Sequence, residues 1–93
     1  MSQPSLKSRA HVYFARNTES GRVKIGSSWV PASRVRSLSR TEHAPVELLA
    51  VIRDAGPIVE REMHERFEHL RWRGEWYEPM PELLGYIAEV ARG

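Results

Sequence analysis

The sequence predicts one α+β domain, a small antiparallel sheet of about three strands with helices packed on it. Two short runs rich in β-branched and aromatic residues, HVYFAR and RVKIGS, flank a polar segment from Asn17 to Gly21. Asn, Ser and Gly turn cheaply, so this reads as a hairpin with a loop of about five residues. Three later stretches carry apolar residues at helical spacing, and between the first two a nearly continuous apolar run, ELLAVIR, has the length of a strand. Ninety-three residues suffice for one core and not for two. The chain therefore divides into a flexible N-terminal segment, 1–10, and a single domain, 11–93.

Taken in order, alternation in the first strand puts Val12 and Phe14 on one face and His11, Tyr13 and Ala15 on the other. In the second, Val23 and Ile25 share a face, opposite Lys24 and Gly26. One face is expected to be core. The other gathers a phenol, an imidazole, an ammonium and a glycine, and on its own composition it reads equally as a solvated sheet surface. Pro31 opens a short helix to about Arg40, with Ala32, Val35 and Leu38 as its stripe and Arg34 pointing away from it. Glu47 to Arg53 follows as a strand expected to be buried on both faces. A second helix is predicted from Pro57 to Leu70, capped by Asp54 or Gly56, with Ile58, Val59, Met63, Phe67 and Leu70 inward. Arg71 to Glu78 reads as a loop dense in aromatic rings. Pro81 to Arg92 is a closing amphipathic helix, with Leu83, Leu84, Ile87, Val90 and Ala91 inward.

The net charge of +2 conceals a division. Residues 1–40 carry eight Lys or Arg against one acid, whereas residues 41–93 carry six against eleven. Such a basic half suits a phosphate backbone as partner. The absence of cysteine excludes disulfides and thiolate metal sites, leaving oxygen and imidazole as metal donors. No apolar run is long enough for a bilayer and no hydrophobic signal core precedes the domain, so the expected location is cytoplasmic, with no membrane partner. Glu60 and His64 stand four apart on one flank of the second helix, which composition alone reads as a surface laced with Glu and Arg. His64-Glu65 is not a zinc-protease motif. The next histidine is His69, one residue too far for His-Glu-x-x-His.

The order V-Y-F, short loop, V-K-I-G, then Arg34, followed by Glu60-x-x-x-His64 and Gly74-Glu75-Trp76-Tyr77, resembles the GIY-YIG endonuclease superfamily. It is most similar to the compact branch with KIG in place of YIG. The resemblance covers about residues 11–78 and implies a metal-dependent DNA endonuclease that hydrolyses phosphodiester bonds. It implies that Glu60 binds the one metal ion, Mg²⁺ or Mn²⁺. Arg34 would clamp the scissile phosphate, and Tyr13, in the first-tyrosine position, would position or deprotonate the attacking water. A free phenol, with a pKa of about 10, is a poor base at neutral pH, and Lys24 on the adjacent strand is the cation expected to favour phenolate. Lys24 is also the departure from the superfamily's second tyrosine. His64 is open between second base, hydrogen-bond partner and a histidine satisfied by the fold.

Lys7, Arg9, Arg16, Arg36 and Arg40 are the expected DNA-backbone contacts. So small a domain leaves little surface for sequence readout, which points to a homodimer or a specificity-giving partner. Two other classes stay open: a non-catalytic nucleic-acid-binding module on the same fold, and a small protein-interaction domain.

Overall fold

The computed structural model describes residues 9–93. The hairpin forms as β1 (His11–Asn17) and β2 (Val23–Ser28), paired antiparallel. Its loop is set by Asn17, whose Oδ1 accepts from the N–H groups of Glu19 (2.9 Å) and Ser20 (3.1 Å). Then come α1 (Pro31–Glu42) and β3 (Val46–Ile52), which pairs with the other side of β1. Next are α2 (Gly56–Arg66), a single 3₁₀ turn, β4 (Arg71–Arg73), β5 (Trp76–Tyr77) and α3 (Pro81–Arg92).

The sheet has five strands in the order β3-β1-β2-β5-β4, two more than predicted. The extra pair lies inside the expected 71–78 loop. Strands of three and two residues carry too little alternation to read, and what closes them is Gly74 at φ +56. The second helix is also shorter than its apolar spacing suggested, because the chain tightens at Phe67, whose carbonyl accepts from Leu70 N–H (2.8 Å). Neither expected residue caps it with a side chain. Ala55 holds the cap position, and the Gly56 N–H donates to the carbonyl of Ala10 (2.9 Å).

Both faces of the hairpin are buried, which corrects the expectation of one core face. Val12, Phe14, Val23 and Ile25 pack with Met63, Phe67, Leu83 and Ile87 under α2 and α3. Tyr13 and Ala15 pack with Val35 and Leu38 of α1 on the other side. β3 is an edge strand that packs on both faces, Leu49, Ala50 and Ile52 into the layer under α2 and α3 and Val46 and Val51 into the one under α1, while Glu47 and Leu48 are exposed. Ile58, expected inward, is 66% exposed at the start of α2. No helix among the described residues is long and apolar enough to cross a membrane.

Candidate functional site

The site forms where β2 runs out of strand partners. β5 pairs only with Val23 and Lys24, so the outer edge of β2 beyond them meets side chains and a turn. The Ile25 N–H donates to the carbonyl of Glu75 (3.0 Å), and the Ile25 carbonyl accepts from Nε2 of His64 (2.8 Å). Two residues on, the Ser27 hydroxyl donates to Oε1 of Glu60 (2.9 Å). Glu60 and His64, one helical turn apart, thus line the same open edge from α2, and the β4–β5 turn delivers Glu75 beside them.

Tyr13 comes to this edge across the sheet. It sits opposite Gly26, and Ala15 sits opposite Lys24, so Tyr13 and Lys24 share a face as the alternation predicts. The phenol lies over Gly26, where a β-carbon would stand 2.7 Å from its oxygen. Only glycine leaves that space. The hydroxyl's pKa is pushed up to about 12, chiefly by burial; Arg34 pulls it down while Glu75 and Glu60 push it up. All three charges are felt at the phenol. The direction corrects the expectation that Lys24 would favour phenolate. The Lys24 Nζ lies 3.1 Å from Oε1 of Glu75 and 5.9 Å from the centre of the Trp76 ring, so its charge is taken up there.

Arg34 is exposed on the first turns of α1 and lines an open cleft of about 500 Å³ with Ser27, Trp29, Val30 and Ser33. Ser27 joins the two halves of the site, since the same side chain lines this cleft and holds Glu60.

Glu60, His64 and Glu75 each bring a potential ligand atom within 4.8 Å of the others. Nε2 of His64 lies 3.8 Å from Oε2 of Glu60 and 4.0 Å from Oε2 of Glu75. A carbonyl only accepts, so the bond to Ile25 puts the proton on Nε2, and through that atom His64 donates instead of ligating. Its ring also stacks on Tyr77 at 6.0 Å. These contacts give His64 the hydrogen-bonding place that the sequence left open. Two carboxylates remain. The Glu60 side chain is 19% exposed, and among the described residues no Lys or Arg comes within 4.0 Å of it. A largely buried carboxylate without a cation, next to a second carboxylate, fits a hard divalent ion such as Mg²⁺ or Mn²⁺.

Glu75 is the residue that sequence reasoning passed over. It stands in the GEWY stretch, between glycine and two aromatic rings. An acid in a turn flanked by strand-forming aromatics was the available signal. Of the expected backbone contacts, Arg36 and Arg40 are exposed on α1 with Arg34. Arg9 is exposed and packs its stem beside Gly56. Arg16 lies near Gly21 at the turn of the hairpin and is not gathered into the cluster. Lys7 lies outside the described residues.

A compact α+β domain with carboxylates, an arginine and a buried tyrosine gathered at one open strand edge has the build of a nuclease-like, nucleic-acid-related domain. Residues 10–91 match the T5orf172 domain, and the chain belongs to that family. No curated protein and no solved structure matches it. The family match takes in Tyr13, Lys24, Arg34, Glu60, His64 and Glu75 together.

Proposed function

We propose that this T5orf172 domain is a metal-dependent DNA endonuclease of the GIY-YIG type, hydrolysing phosphodiester bonds in cytoplasmic DNA. The observation that supports the reading is that three elements meet at the end of β2: Tyr13 lies over Gly26, Glu60 is bonded to Ser27, and Arg34 lines one cleft with Ser27. Arg34 offers two parallel donors to the oxygens of the scissile phosphate and keeps its charge at every working pH. Glu60, with Glu75 beside it, would hold a divalent cation, which lowers the pKa of bound water and neutralises charge on the phosphate. Ser27 fixes Glu60 in that position. Tyr13, kept neutral with its pKa at about 12, orients the attacking water by hydrogen bonding, and the proton acceptor in this site is a carboxylate. Arg9, Arg36 and Arg40 add backbone contacts, and a second copy or a partner supplies further specificity.

The test is nicking of supercoiled plasmid in Mg²⁺ or Mn²⁺, with a chelator control and a gel shift across a salt series. The reading expects nicking that the chelator stops, and affinity that falls with salt by a log-log slope of roughly −0.9 per phosphate neutralised. One observation favours a non-catalytic DNA-binding module instead: Lys24 and Glu75 already satisfy each other at 3.1 Å. Salt-dependent binding without nicking in either metal selects that second reading.

A further inference from the structure

The three tryptophans differ in what covers them. Arg22 stands 3.8 Å above the Trp72 ring and Arg73 stands 5.4 Å from it, while Lys24 lies over Trp76. Trp29 has no such cation or ring partner among the described residues and is 62% exposed. Its backbone is nonetheless held. Val30 N–H donates to the Ser28 hydroxyl (3.0 Å), and the Val30 carbonyl accepts from Ser33 and Arg34 (3.1 Å each). A large flat ring is thus carried on held backbone between the end of β2 and the first turn of α1, on the wall of the cleft that holds Arg34. The rest of the lining is four serines with Ala10 and Val30, and among the described residues no carboxylate lines the cleft.

We propose that this cleft seats an unpaired nucleotide of the substrate, its base stacked on Trp29 and its phosphate on Arg34. This rests on the DNA reading above for the partner of Arg34. Stacking on an exposed aromatic face is available to every base, and an arginine at the rim supplies the complement to its phosphate. A base inside continuous duplex must first be unstacked and unpaired, so an already unpaired nucleotide enters at least cost. The substrate class is therefore DNA with a bulge, flap or frayed end at the scissile phosphate.

The experiment compares a labelled duplex carrying one unpaired nucleotide with the same duplex fully paired, by fluorescence anisotropy in chelator so that nothing is cut. The parental chain should bind the bulged duplex about tenfold more tightly, within the range of a single base–aromatic stack. Trp29→Phe should keep most of that preference, and Trp29→Ala should reduce it to parity with an unchanged thermal midpoint. Equal affinities in the parental chain, or full preference in Trp29→Ala, overturn the proposal. Self-association that Trp29→Ala abolishes, seen by sedimentation without a bulge preference, overturns it in favour of a second copy. Plasmid nicking is scored separately. A bulge preference without nicking leaves the seat standing and removes the cleavage reading, and nicking with equal affinities does the reverse.

Discussion

On one face of the sheet, Val12, Phe14, Val23 and Ile25 meet Met63, Phe67, Leu83 and Ile87 from two helices. On the other, Tyr13 and Ala15 meet Val35 and Leu38 from one helix, with Val46 and Val51 of β3 at the side, and Gly26 is left without a side chain beneath the phenol. The first face is a packed apolar layer, and α2, which covers it, brings Glu60 and His64 to its rim. The second trades packing for a polar group held in place: a tyrosine buried to its hydroxyl, next to an arginine and two carboxylates. Each face also carries one fully buried tyrosine. The Tyr77 hydroxyl, on the packed side, has no hydrogen-bond partner among the described residues, and its ring stacks on His64, whereas the Tyr13 hydroxyl lies over Gly26.

The sharpest separation of the faces is in stability. Phe14→Ala removes a ring with no exposed surface from the packed face and should cost ~3–5 kcal/mol in denaturant unfolding. Val35→Ala, on the thinner face, should cost only ~1–2 kcal/mol. Equal losses would mean that the two faces are packed alike. Gly26→Ala comes next. Its new methyl meets the Tyr13 oxygen at 2.7 Å, so it should destabilise by ~1–3 kcal/mol and displace the phenol from the site. A Tyr13→Ala background should remove most of that cost, and a double-mutant cycle measures the coupling.

Alkaline titration reads the buried tyrosines, because burial raises the pKa of both Tyr13 and Tyr77. A phenol whose pKa is higher folded than unfolded keeps its proton longer in the folded chain. Its stabilising contribution is complete below pH 10.0 and is lost as pH rises through about 12. For Tyr13 this is on the order of 2 kcal/mol. Tyr13→Phe should flatten the fall in stability over that window and remove a late-titrating phenol from the absorbance curve. The smallest effect is expected at Tyr77. Tyr77→Phe deletes a buried, unpartnered hydroxyl and should be neutral or stabilising by up to ~1 kcal/mol, with DNA binding unchanged.

The parts of the site legible in the sequence are those fixed by local period. Alternation places Tyr13 with Lys24, and i,i+4 spacing places Glu60 with His64. The parts that were not legible depend on what packs where. Tyr13 reads as exposed until α1 is laid over it, and Ile58 reads as core until the register of α2 against the sheet is known. Glu75 reaches the site only because β5 pairs with Val23 and Lys24, a contact between residues about 50 positions apart that no local pattern encodes. The charge of Lys24 misled for the same reason. Its partner lies on that distant turn.

On the proposed reading, Glu60 stands at the open edge of β2 to hold a cation and not to hold the fold together. Glu60→Gln keeps the shape and an oxygen for the Ser27 hydroxyl. The stability of this variant should move by no more than about 1 kcal/mol. The variant should bind DNA in chelator as well as the parental chain or better, and nick plasmid slower by orders of magnitude in Mg²⁺ or Mn²⁺. A variant that folds, binds and nicks at the parental rate would contradict that reading.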